Sequence, residues 1–131
     1  MKEERLKRDP AVRTIAMPAD TNPDGDIFGG WLMAQMDLAA GNVAARTARG
    51  RAATIAVEHI EFLRPVRVGD EVTLYAGLES VGRTSMKIYV EAWRRARESD
   101  KTEKVTEAGF TFVALDEEGR SRPVPDIPND D

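Results

Sequence analysis

The sequence contains no cysteine and a single histidine. The first absence excludes disulfides, thiol nucleophiles and thiolate metal sites together. No His/Asp/Glu cluster has metal-ligand spacing either, so no metal is expected. No apolar run is long enough to span a bilayer, and the start MKEERLKRDP lacks the apolar core of a signal peptide. A cytoplasmic protein without membrane insertion is the resulting expectation. A basic surplus is missing too: the formal net charge of -4 argues against nucleic acid as the main partner. A few local arginines could still hold the phosphates of a small anionic ligand. Internal repeats are absent.

What is present suits one domain. The 131 residues carry 32% charged and 41% hydrophobic side chains, a globular balance without a disordered signature. Residues 1–10 and 124–131 read as loose tails. VRTIAM (12–17) alternates as a short strand, and PADTNPDGD (18–26) is rich in turn formers. From Ile27 to Ala48 the period lengthens: Leu32, Met36, Ala39 or Ala40, and Val43 form one apolar stripe, with Gly50 placed as a stop. Four strand-like segments follow, at 52–64, 70–82, 84–96 and 104–116, with a hairpin expected at Gly82-Arg83. One helix against one antiparallel sheet is an α+β layout. A single helix covers one sheet face, so the other is expected to be shielded by a second copy of the chain.

The segment GDIFGGWLMAQMD (25–37) is unusual. Adjacent glycines, Gly29 and Gly30, open the helix, and Asp37 interrupts its apolar run. One residue is about 100° of helix, so Asp37 falls beside Met33 and Gly41, at the edge of the stripe. This segment, extended to MPADTNPDGDIFGGWLMAQMD, joins FLRPVRVGDEV, VGRTSMKI and FTFVALDEEGRSRPVP in order. Together these motifs, across roughly residues 13 to 125, are very similar to those of YciA-type acyl-CoA thioesterases of the hotdog superfamily.

That resemblance implies a hotdog fold, a long central helix wrapped by a curved antiparallel sheet of about five strands. It also implies hydrolysis of acyl-CoA thioesters to a carboxylic acid and free CoA, with no cofactor beyond the CoA of the substrate. Homodimers assembled as trimers of dimers, with active sites at the dimer interface, are implied as well. By motif position, Asp37 matches the catalytic aspartate. Gly29 and Gly30 match the helix-start glycines whose amide holds the thioester carbonyl. Asp26 matches a polar loop position. Many hotdog thioesterases carry HGG where this chain has Phe28 in FGG, as the YciA type does; a mechanism using histidine at that site is therefore not expected.

The chemistry is consistent with these residue types. Helix-start N–H groups lack intrahelical partners and carry the positive end of the helix dipole. Glycine allows a carbonyl close approach, and an oxyanion donor of this kind is worth roughly 3 kcal/mol of barrier. Asp37 could act as general base on water or attack directly to give a mixed anhydride. Gly29 and Asp37 lie roughly 12 Å apart at 1.5 Å per residue, too far to serve one carbonyl within one chain. The spacing favours a composite site between two copies.

For CoA phosphates the basic and hydroxyl groups of GRTSMK (Arg83, Thr84, Ser85, Lys87) come first, then Arg64, Arg120 and Arg122. His59, within VEHIEF, is expected to be packed or on the surface, with Glu58 and Glu61 facing outward. Trp31 and Met33 either line the acyl channel or pack in the core, and RRARES (94–99) reads as a solvated strand end. Two other classes compete. A non-catalytic acyl-CoA-binding regulator should lack a carboxylate at position 37, and a hydroxyacyl-thioester dehydratase should carry a histidine near the helix start.

Overall fold

The computed structural model describes residues 9–126. The chain runs β1 (Val12–Ile15), a 3-10 turn (Pro18–Asp20), α1 (Gly29–Ala48), β2 (Ala52–Phe62), β3 (Glu71–Val81), β4 (Ser85–Arg95) and β5 (Thr102–Ala114). The five strands form one antiparallel sheet in the order β1-β3-β4-β5-β2. The expected α+β layout and all its elements are present, with β3 and β4 joined as a tight hairpin in which Gly82 N–H donates to Ser85 O at 2.8 Å.

Alternation assigns each strand its inner face. Val72 and Leu74 of β3, Met86, Ile88, Val90 and Ala92 of β4, and Ala108, Phe110, Phe112 and Ala114 of β5 are buried in the core. Against them lies the helical stripe Leu32, Met36, Ala39, Ala40, Val43, Ala44 and Ala48. Its alanines keep the helix close to the sheet. Trp31 packs partly buried against this core.

The helix begins at Gly29 rather than Ile27. Ile27 is buried and donates its N–H to Val66 O, and Phe28 is the N-cap, so the chain is still turning there. At the other end the left-handed residue is Arg49 (φ 56°), one position before the expected Gly50. Gly50 N–H donates to Ala45 O, and Arg122 Nη2 donates to Ala48 O at 2.7 Å.

Two further expectations are corrected. Val124, placed in the loose C-terminal tail, donates its N–H to Arg83 O and packs against the core; residues 1–8 and 127–131 lie outside the described ones. The 94–99 segment is not merely solvated. Arg94 joins Asp70 (2.9 Å) and Glu103 (2.8 Å), and Arg95 Nη1 donates to the carbonyls of Ala96, Arg97 and Ser99.

The outer sheet face carries a polar network. Glu91 there is fully buried, receiving Tyr89 OH (2.8 Å) and Trp93 Nε1 (2.9 Å), while Lys104 pairs with Glu107 at 2.7 Å. Burial and the two carboxylates push the Tyr89 hydroxyl far above its usual range. The edge strand β2 and its exit carry several exposed large apolar side chains, with Ile55 at 61%, Phe62 at 50% and Leu63 at 48% exposure.

Candidate active site

The loop before α1 is built by its own polar side chains. Asn22 Oδ1 accepts the N–H groups of Asp24 (2.9 Å) and Asp26 (3.1 Å), and Asp26 O accepts Asn22 N–H at 2.6 Å. Gly25 supplies the left-handed corner at φ 90°. Phe28 N–H then donates to Asp20 O, which aims the chain into the helix. Asp26, matched above to a polar loop position of the catalytic set, joins this turn through its backbone N–H and carbonyl.

At the helix start the two glycines are not equivalent. A Cβ on Gly29 would lie 3.3 Å from the tip of the Phe62 ring, whereas one on Gly30 would meet nothing within 4 Å. Trp31 and Leu32 N–H groups turn back to Phe28 O. The N–H groups of Gly29 and Gly30 find no partner among the described residues, as expected of the first helical turn. Beside Gly29 opens a groove of about 310 Å³, with Ile27, Leu32 and Val66 in its floor and Phe62, Leu63 and Pro65 around it. Arg64 stands at its rim, its Nη1 donating to Lys104 O at 2.8 Å.

Asp37 is part-exposed two turns further along α1, beside β2. Its Oδ1 accepts a hydrogen bond of 2.5 Å from Thr54 Oγ1 on β2. Nothing in the sequence singles out Thr54; a hydroxyl in an otherwise ordinary strand gives no signal until the strand's position along the helix is known. Since α1 and β2 run in opposite directions, the Gly29–Phe62 contact and the Asp37–Thr54 contact mark two separate points along this antiparallel pair. They are not brought together within the chain.

Nor do the basic residues converge. Arg83, Thr84 and Ser85 occupy the β3–β4 turn, tied by Thr84 O to Ala114 N–H and by Arg83 O to Val124 N–H. That turn lies at the C-terminal end of α1, about 30 Å of helix from Gly29 at 1.5 Å per residue. Arg83 is exposed, and its side chain has no partner among the described residues. Lys87 pairs with Glu58 at 3.3 Å, and Arg120 with Glu118 at 3.8 Å.

Arg122 is a structural clamp: beyond its bond to Ala48 O, its Nε donates to Leu115 O at 2.9 Å. His59 is exposed in a β2 bulge at φ 55°. Among the described residues no group of three or more His, Cys, Asp or Glu is placed to hold a metal ion. No described helix is long and apolar enough to cross a membrane.

Comparison with known proteins gives this geometry a family. The Thioesterase superfamily model matches residues 24–100. The uncharacterized acyl-CoA thioester hydrolase ZMO0511 of Zymomonas mobilis is 58% identical over 117 residues, covering 89% of this chain and 78% of that protein. The acyl-CoA thioester hydrolase YciA of Escherichia coli K12 is 49% identical over 120 residues, 89% of this chain and 91% of its own. The hexameric thioesterase y2039 from Yersinia pestis superposes with a TM-score of 0.86 at 45% identity, covering 90% of this chain and 96% of that one. With the glycine-opened helix, the wrapping five-stranded sheet and these matches agreeing, the chain belongs to the thioesterase superfamily as a hotdog-fold member of the YciA type.

Proposed function

We propose that this chain hydrolyses acyl-CoA thioesters at sites completed by two copies. The observation that carries the reading is the separation of the two halves within one chain. The helix-start amides of Gly29 and Gly30 are unpartnered among the described residues, with Gly29 on the groove, while the carboxylate with its hydroxyl partner lies further along the same helix. β2 is an exposed edge with unpaired backbone groups and apolar side chains, the kind of edge that recruits another strand. Antiparallel pairing of two such strands about a two-fold axis sets the Ala52 end of one against the Phe62 end of the other. Asp37 and Thr54 of one copy then approach Gly29 and Gly30 of its partner. The hexameric state of the Yersinia pestis relative supports a homo-oligomer, read here as a trimer of such dimers.

In this arrangement the thioester carbonyl oxygen accepts the free helix-start amides, whose dipole stabilises the developing oxyanion. Asp37 removes a proton from water or attacks the carbonyl carbon itself, and Thr54 holds the carboxylate in one orientation. The same two-fold operation carries the Arg83–Ser85 turn of the second copy toward the groove end of the first, where the CoA phosphates would lie. Protein groups alone perform the reaction; CoA arrives as part of the substrate.

The decisive assay measures CoA release from a panel of acyl-CoAs by wild type and Asp37→Ala, with sizing chromatography alongside. Turnover by the wild type and its loss in a folded Asp37→Ala are expected. Full kcat in Asp37→Ala, or an active monomer, would overturn the assignment.

A further inference from the structure

We infer that Phe62 sets which acyl chains this enzyme accepts. The inference rests on the hydrolase reading above and extends it to the choice of substrate. The Phe62 ring reaches the backbone of Gly29 so closely that a Cβ there would stand 3.3 Å from Cζ and 3.4 Å from Cε1. An acyl group whose carbonyl is held by the helix-start amides therefore leaves the reaction centre alongside that ring. Beyond it the floor is aliphatic, made by the buried side chains of Ile27, Leu32 and Val66.

Among the described residues Arg64 is the one charged side chain in the lining, and its guanidinium is engaged with Lys104 O at 2.8 Å and Glu103 at 3.7 Å. The described lining thus presents no free polar side chain for the amides of a pantetheine arm. Its complement is a hydrocarbon chain. At about 310 Å³ it stands near the lower limit of small-molecule sites, so a wall the size of a phenyl ring is a large fraction of the available space. Half-exposed and at the end of β2, Phe62 is also a wall that can be changed without opening the core.

The test compares wild type with Phe62→Ala, Phe62→Leu and Phe62→Trp on acetyl-, butanoyl-, octanoyl- and palmitoyl-CoA. The quantity read is the ratio of kcat/KM for the long esters to that for the short ones. Even a methylene-sized change in an apolar pocket is worth roughly 10- to 200-fold in discrimination. The ratio is expected to rise at least about tenfold in Phe62→Ala, to rise less in Phe62→Leu, and to fall in Phe62→Trp.

Sizing chromatography verifies that each variant keeps the wild-type assembly; Phe62→Leu preserves an apolar contact at the strand end should Phe62→Ala dissociate. Inhibition constants of non-hydrolysable S-alkyl-CoA thioethers of the same lengths supply the ratio independently of turnover. Ratios unchanged within a factor of two across all variants, by either measurement, would overturn the inference. A wild type inert toward every acyl-CoA would defeat the hydrolase reading instead, and the thioether ratios would still judge Phe62.

Discussion

Arg122→Ala separates a structural arginine from a phosphate-binding one. The guanidinium joins two parts of the fold: Nη2 donates to Ala48 O at 2.7 Å, and Nε donates to Leu115 O at 2.9 Å. Ala48 is the last residue of α1, so its carbonyl belongs to the negative end of the helix and is otherwise without a helical donor. A hydrogen bond to a charged group contributes about 1.5–3 kcal/mol, and a cation at a helix C-terminus about 0.3–1 kcal/mol. The site is only part-buried and water can replace some of this, so we expect a net loss of about 2–4 kcal/mol. Arg122→Lys keeps the charge but cannot span both carbonyls with one planar fork, and should recover less than half of it.

The assay is urea unfolding at fixed protein concentration, because any oligomer adds its own concentration-dependent stability. KM for one acyl-CoA is measured in parallel. The expected result is a lowered midpoint with KM unchanged within about twofold. An unchanged midpoint with KM raised tenfold or more would refute the structural role and return Arg122 to the CoA phosphates.

Other perturbations address the site itself. Thr54→Val removes the hydroxyl bound to Asp37 and should lower kcat about 5- to 30-fold, equivalent to about 1–2 kcal/mol, with KM little changed and Thr54→Ser restoring most activity. Gly30→Ala meets no atom within 4 Å and replaces glycine in a helix, so thermal unfolding should show equal or higher stability, by up to about 1 kcal/mol, while steady-state turnover collapses. Ile55→Lys puts a charge on the exposed edge of β2; sizing chromatography should show a smaller species, and that species should release no CoA.

The outer sheet face provides a pH test. Lys104 and the Tyr89 hydroxyl hold the Glu107 carboxyl below its usual range. A carboxyl depressed in the folded state contributes stability that is present above about pH 4.3, its ordinary value, and is lost as pH falls through the folded value. Removing the ammonium in Lys104→Met should therefore flatten the acid limb of a urea-midpoint profile. An unaltered limb would exclude this pair as its source.

Much of the fold was legible because its signals are local. The 3.6-residue stripe from Leu32 to Val43 and the alternation along β3, β4 and β5 depend only on which side chains a helix or a half-buried strand must turn inward. Asp37 at the margin of the stripe was likewise visible from angle alone. The Asp37–Thr54 bond was not. It spans 17 positions and depends on where β2 lies along α1, which two bulges in β2 displace from regular register. The carbonyl contacts of Arg122 are hidden in the sequence for a related reason. A basic residue near the chain end looks free in the sequence, and only the return of residues 121–124 past the helix terminus reveals the carbonyls it meets.

The glycine pair shows most clearly what three dimensions add. In sequence, Gly29 and Gly30 share one explanation, close approach of a substrate to the helix-start backbone. In the fold, a Cβ on Gly29 would stand 3.3 Å from the Phe62 ring at the edge of the groove, so the ring must give by a few tenths of an ångström to admit it. Only Gly30 faces open space, where either a thioester or a second copy must be accommodated. The two substitutions to alanine should consequently fail in different ways. Gly29→Ala presses on Phe62 and should alter the acyl-chain profile. Gly30→Ala leaves the isolated fold unstrained and should remove activity on all chain lengths alike. A chain-length panel run on both variants distinguishes these patterns, and identical losses in the two would mean that Phe62 and Gly29 do not act as a pair.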